Sequence, residues 1–187
     1  MKYDLNYQKH VEKAKNEEWR IKMHDIAKKF AKGHILELGC GVNNTFENST
    51  KIDIVPLRLK NFIVADLNKK LPLKDNVFDS VVSLDVIEHL YDIDNFLHEI
   101  NRVLKNRGVF ILSTPNVLSW RNRLRFIFGK NFIFNEYKTT GHLIFFDYSS
   151  LKNKLEEFKF KDIKIMPMGN VKLRSFCGEF LVICYKI

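Results

Sequence analysis

The chain has 187 residues, 45% hydrophobic and 28% charged, which suits one folded domain over residues 1–187 and excludes a disordered chain. Its formal charge of +9 permits nucleic acid, anionic lipid or a phosphorylated substrate as partner and selects none of them. No apolar run is long enough to span a membrane, residues 1–20 hold no secretory core, and three unpaired cysteines (Cys40, Cys177, Cys184) argue against a disulfide framework or a zinc site and for a reducing cytoplasm.

In chain order, residues 9–32 are good helix formers ending in lysines and Gly33, which predicts an N-terminal helix within residues 1–33. Short apolar runs predict strands at 35–38, 51–55, 61–65 and 77–84, the last apolar enough to be covered on both faces. Asp92 or Asp94 then caps a helix with Phe96, Leu97, Ile100, Val103 and Leu104 on one stripe, closed by Lys105, Arg107 and Gly108. A fifth strand covers 109–113 and stops at Thr114-Pro115-Asn116. A variable segment at 117–147 follows, then a helix at 149–158 and two strands at 160–166 and 179–186. Strands alternating with helices predict an α/β sheet with parallel strands.

The stretch Ile35-Leu-Glu-Leu-Gly-Cys-Gly41 is a strand breaking into a loop where backbone must approach a ligand closely, because Gly39 and Gly41 lack a Cβ. Glu37 just before the turn suits a ligand with positive charge better than a phosphate. Further acids stand at the next strand ends, Asp53 and Asp66, and Ser83-Leu84-Asp85 closes the fourth strand. A dinucleotide site needs G-x-G-x-x-G and a full helix behind it. Asn44 takes the third glycine position, and the residues between Gly41 and the next strand leave room for about one helical turn. NAD is therefore disfavoured, and a nucleoside without phosphates, held by carboxylates, fits better.

Together these motifs resemble the class I S-adenosylmethionine-dependent methyltransferases, in the group labelled type 11 or type 23. The resemblance covers about residues 35–160. It rests on Glu37-Leu-Gly-Cys-Gly41, Asp66-Leu67 with Leu71-Pro72 and Phe78-Asp79, Asp85-Val-Ile-Glu-His89, Glu99-Ile-Asn-Arg-Val-Leu-Lys105 with Gly108, Thr114-Pro-Asn116, Gly141-His142 and Phe145-Phe146. It implies a Rossmann-like α/β fold: a mostly parallel seven-stranded sheet with an antiparallel C-terminal strand and helices on both faces. It also implies S-adenosylmethionine as cofactor. Glu37, Gly39, Cys40 and Gly41 would surround its methionine part, and Asp53 would take the ribose hydroxyls. Asp66 and Leu67 would meet adenine, and Ser83 and Leu84 would close the methionine side. Asn43 replaces the family's third motif glycine, and the connection to Asp53 is shorter than the family's usual one.

Each residue also has a plainer reading. The glycines could mark only a tight turn, Asp53 a solvated strand end and Asp66 a side-chain cap of a turn. Cys40 reads as a small loop filler rather than a nucleophile. Glu88 and His89 stand side by side, and two such groups are too few to propose a metal. His142 is the candidate catalytic base for a hydroxyl acceptor, against a structural role shaping its loop. As a helix, residues 117–134 would place Trp120, Leu124, Ile127 and Phe128 on one stripe flanked by Arg121, Arg123 and Arg125. That stripe is either a cover packed on the domain or a basic, aromatic lid over a phosphate-bearing or lipid-linked acceptor at an anionic membrane surface.

The function expected is methyl transfer to a small molecule, most plausibly at a hydroxyl of a sugar, lipid-linked or related metabolite. The alternatives are an RNA methyltransferase and a catalytically silent cofactor-binding subunit.

Overall fold

The computed structural model describes residues 18–41, 45–130 and 141–187. Residues 9–17 of the expected first helix, Asn43 and Asn44, and residues 131–134 of the expected lid helix lie outside the described residues.

Strands β1 (Ile35–Leu38), β2 (Thr50–Asp53), β3 (Phe62–Val64), β4 (Phe78–Leu84), β5 (Leu104–Pro115), β6 (Phe160–Met168) and β7 (Glu179–Lys186) form one sheet in the order β3-β2-β1-β4-β5-β7-β6. Strands β1 to β5 pair in parallel, and β7 runs antiparallel to both β5 and β6. The helices are α1 (Glu18–Phe30), α2 (Ile93–Val103), α3 (Trp120–Ile127) and α4 (Tyr148–Glu157), with a single 3₁₀ turn at Ile87–His89.

Alternation along the central strands divides their apolar side chains between two layers. Val82, Ile111 and Ile183 face Met23 and Ala27 of α1, whereas Val81, Phe110 and Val182 face Phe96, Leu97 and Ile100 of α2 and Leu151 and Leu155 of α4. The expected helices on both faces are therefore present. Removing one of the fully buried large side chains, such as Phe96, would cost about 3–5 kcal/mol through lost transfer energy and the cavity left behind.

Asp92 caps α2 by accepting the Asn95 N–H at 3.0 Å. The helix ends at Val103, five residues short of the predicted stop, because Leu104 already pairs with Phe78 in the sheet. Lys105 to Gly108 are instead a kink within β5: Arg107 takes a left-handed φ of 62°, and pairing resumes at Val109 opposite Ser80. A Cβ on Gly108 would lie 2.8 Å from the Lys105 carbonyl, so this glycine serves the kink and not a helix end. Helix α3 is also shorter than predicted, spanning Trp120–Ile127.

Glu99 and Arg102 explain why Leu71-Pro72 and Glu99-Ile-Asn-Arg102 occur together. The Arg102 guanidinium grips Glu99 with two hydrogen bonds (2.8 and 2.6 Å) and donates to the Leu71 and Leu73 carbonyls, while Glu99 accepts the Leu71 N–H at 2.7 Å. This clamp fixes the chain entering β4. The Arg102 contact holds the Glu99 carboxyl below the usual range, against the opposing effect of burial.

Candidate cofactor and acceptor site

The order of strands reverses between β1 and β4, so the crevice of this sheet opens beyond the carboxyl ends of those two strands. The Glu37–Gly41 loop and the Ser83–Asp85 turn lie at those ends, with Asp53 on the neighbouring strand. Gly39 has a φ of 64° and its N–H donates to the Ile52 carbonyl at 2.8 Å; a Cβ there would sit 2.4 Å from Val86 Cγ2. Gly41 has a φ of 53°, and a Cβ there would meet nothing within 4 Å. One glycine is thus required by packing against Val86, and the other borders open space.

Asp53 is buried, and its two oxygens accept the Gly41 N–H (2.8 Å) and the Val55 N–H (3.0 Å). Each carboxylate oxygen keeps a second lone pair, so two hydroxyl donors can still be accepted. Glu37 is buried and accepts the Ser49 hydroxyl at 3.2 Å; burial raises its carboxyl above the usual range, against the pull of Lys51 and Ser49. Lys51 is 1% exposed, and its ammonium donates to the Phe46 (2.8 Å), Ser49 (3.3 Å) and Glu47 (3.5 Å) carbonyls. The Cys40 thiol is pushed up to about 12 by burial and by Asp53 and Glu37, so it is no nucleophile at neutral pH.

Asp66 forms the turn cap that its plainer reading anticipated. Its Oδ1 accepts both the Asn68 N–H and the Asn68 side-chain amide at 3.0 Å, and Asn68 in turn accepts the N–H groups of Tyr91 and Asp92. Asp66 Oδ2 has exposed Lys69 at 3.8 Å, so that oxygen can accept from a ligand amine. Leu67 is buried beside it. Ser83 is 1% exposed, and its hydroxyl is buried with no hydrogen-bond partner among the described residues; Leu84 is half-buried. The open space at Gly41, the unpartnered Ser83 hydroxyl and the remaining lone pairs on Asp53 and Asp66 together fit a ligand with a ribose, an amine and a cationic centre.

The other side of the crevice is built from distant segments. Thr114 lies at the end of β5, and Asn116, just beyond it, bridges to Phe146. The Leu143 and Ile144 N–H groups both donate to the Glu88 carbonyl (2.8 and 3.2 Å), which ties residues 142–144 alongside the turn after β4. That tie sets the His142 ring edge-on to His89, with centroids 4.7 Å apart. Burial pushes His142 down to about 4, and neighbouring His89 adds to the fall. Glu88 is buried and accepts the Thr114 hydroxyl at 3.2 Å; burial, with Asp85 nearby, raises its carboxyl well above the usual range.

Three groups here carried no signal in the sequence reading. Arg20 of α1 bonds Asp85 Oδ2 at 2.5 Å, Ser113 donates to Asp85 Oδ1 at 2.5 Å, and Glu179 is buried with its carboxyl raised well above the usual range by burial and by Asp85. Arg20 and Asp85 lie 65 residues apart, so no local pattern marks their pairing. Helix α1 also reaches the glycine loop, where His24 Nδ1 lies 3.2 Å from the Thr45 hydroxyl.

Helix α3 reverses the expectation of a cover packed on the domain. Its buried residue is Asn122, which donates to the Val117 carbonyl, while Trp120, Leu124, Ile127 and Phe128 face outward. Beneath its start lies a cavity of about 210 Å³ lined by Asn116, Arg123, Tyr148, Ser149, Arg174 and Phe180, among others. A second cavity, of about 320 Å³, borders the segments entering β2 and β3, at the opposite end of those strands from the glycine loop. Among the described residues, no helix is long and apolar enough to cross a membrane.

The strand order, the antiparallel β7 and the switch-point crevice define the class I methyltransferase fold. Residues 36–112 match the type 11 family model described as a methyltransferase domain. A probable S-adenosylmethionine-dependent methyltransferase of Mycolicibacterium smegmatis is 49% identical over 51 residues, which is 27% of this chain and 20% of that protein. The match therefore spans about a fifth of that curated relative's length. A methyltransferase structure from Archaeoglobus fulgidus superposes with a TM-score of 0.70 at 18% identity, covering 98% of this chain and all of that one (100%). A phosphoethanolamine N-methyltransferase of Haemonchus contortus, solved with S-adenosyl-L-methionine, superposes with a TM-score of 0.63 at 14% identity, covering 88% of this chain and 52% of that one. The resemblance read from the sequence, the fold and the cofactor class all agree with these findings.

Proposed function

We propose that the chain is an S-adenosylmethionine-dependent methyltransferase acting on a small-molecule hydroxyl, in a sugar, lipid-linked or related metabolite. The observation that carries the reading is the switch-point crevice. There, Gly41 borders open space and donates to the buried Asp53 carboxylate, and the Ser83 hydroxyl, buried near the end of β4, has no partner among the described residues. In this reading Glu37, Gly39, Cys40 and Gly41 line the methionine side with Ser83 and Leu84. Asp53 holds the ribose, and Asp66 with Leu67 meets adenine.

The sulfonium supplies an already activated methyl group, so the protein's task is alignment and exclusion of water. As the acceptor oxygen bonds the methyl carbon, the carbon–sulfur bond breaks with its electron pair going to sulfur, and the hydroxyl proton leaves. His142, tied to the turn after β4, is the candidate group to meet that proton; full turnover by His142→Ala with both substrates saturating would remove it from this role.

The outward apolar stripe of α3, flanked by Arg121, Arg123 and Arg125, supports a lid that meets an anionic lipid surface or a phosphate-bearing acceptor. Sedimentation with anionic vesicles at low salt tests the membrane version, and absence of binding would discard it. The decisive experiment is incubation with methyl-labelled cofactor and fractionated cell extract. Label in a small-molecule or lipid pool supports the reading; label in RNA replaces it with nucleic-acid methylation. Cofactor binding with no labelled product in any fraction would favour a silent subunit.

A further inference from the structure

Beside the cofactor crevice stands a second group of chemistry-bearing side chains that the alignment of a methyl group does not require. Glu88, His89 and His142 each offer one ligand atom, and these atoms lie within 4.8 Å of one another. The sequence supplied only the adjacent Glu88 and His89; the fold adds the third, 53 residues later in the chain. Thr114 donates to Glu88 Oε2 and so orients that carboxylate. The Leu143 and Ile144 N–H groups grip the Glu88 carbonyl and fix the backbone next to His142. The His89 and His142 rings pack edge to face.

Carboxyl groups also gather in this corner. Asp85, Glu88 and Glu179 are three acids converging on the end of β4, with Arg20 as the cation seated against Asp85. Two imidazoles and one carboxylate, the carboxylate already oriented by Thr114, form the donor set of open-sided zinc and non-haem iron sites. Donor atoms around one such ion lie about 3–3.5 Å apart, so closure from 4.8 Å takes only small side-chain rotations.

We propose that Glu88, His89 and His142 bind one divalent transition-metal ion of the zinc, manganese or iron(II) kind, whose open positions face the acceptor. The acceptor's role in this rests on the methyltransferase reading; the ion site itself does not. A bound ion would hold the acceptor hydroxyl and lower its pKa, so that its proton would pass to solvent water before the oxygen meets the methyl group. His142 then acts as a ligand and not as the proton acceptor.

The test uses the full chain and three probes, Co²⁺, Zn²⁺ and Mg²⁺, with cofactor binding measured by calorimetry on the same samples. One Co²⁺ per chain should bind with a visible absorption spectrum, Zn²⁺ should displace it, and Mg²⁺ should bind at least tenfold more weakly because imidazole is a poor ligand for it. Glu88→Gln and the double variant His89→Ala/His142→Ala should each weaken Co²⁺ at least tenfold, with circular dichroism reporting whether the fold survives. Should the double variant unfold, Glu88→Gln and His142→Gln alone carry the comparison. Absence of Co²⁺ and Zn²⁺ binding, or binding unchanged in folded variants, overturns the ion site. Cofactor binding without metal would sink this inference alone, and metal binding without cofactor would sink the methyltransferase reading and leave the ion site standing.

Discussion

The two halves of the crevice are built on different principles. On the β1–β2 side the backbone sets the shape: Gly39 leaves no room for a Cβ beside Val86, Gly41 donates to Asp53, and the residues follow β1 and β2 within a short stretch of chain. On the other side, the groups come from α1, the turn after β4, the end of β5, residues 142–146 and the start of β7. A site made of backbone conformation tolerates little substitution but is written in adjacent residues. A site made of distant side chains can change its members one at a time, and with them its substrate.

Substitutions can break this contrast in order of expected size. Gly39→Val should have the largest effect, because it adds an unfavourable φ to a clash with Val86; we expect a loss of about 2–5 kcal/mol in chemical denaturation, with cofactor binding lost as well. Arg20→Leu should cost about 1–3 kcal/mol, since it leaves Asp85 without its guanidinium among Glu88 and Glu179. Gly41→Ala separates the two glycine roles: a Cβ there meets no protein atom, so stability should fall by only about 1 kcal/mol. Calorimetry should show cofactor affinity reduced at least about tenfold, by roughly 1.4 kcal/mol or more. An unchanged affinity would move the ligand away from this loop.

The Glu99–Arg102 clamp gives a pH signature outside both halves. Because the folded carboxyl lies below its unfolded value, its stabilisation is complete above the unfolded pKa and is lost as pH falls through the folded one. Stability should therefore drop as the medium is acidified from about pH 5, and Glu99→Gln should flatten that drop by about 1 kcal/mol. The smallest effect is expected for Ile127→Ser with Phe128→Ser, which should change stability by less than about 0.5 kcal/mol, because both side chains face outward. A large loss there would mean that α3 is a packed cover after all.

The same contrast governs how much was legible in the sequence. Strand β1, the body of β4 and the cap at Asp92 follow from local apolar runs and one side-chain acceptor, and each stands where expected. The end of α2 was misread because Lys105 to Gly108 carry the composition of a helix stop while pairing of Leu104 with Phe78 decides the outcome. Periodicity located the stripe of α3 but could not orient it, since buried Asn122 draws the opposite face inward through its bond to Val117. The neighbours of His142 were invisible for a similar reason: two backbone hydrogen bonds to Glu88, not any motif, place it there.

Lys51 has a consequence for how little chain this sheet can use. Crossing from β1 to β2 usually takes a helix, which satisfies its own peptide groups; the described residues 45–49 hold a turn instead, and its carbonyls point inward. The Lys51 ammonium collects three of those carbonyls as a dehydrated potassium ion would, but as a permanent counter-ion tethered to the strand it serves. A methionine of similar length could fill the same volume and would still leave the turn without its ion.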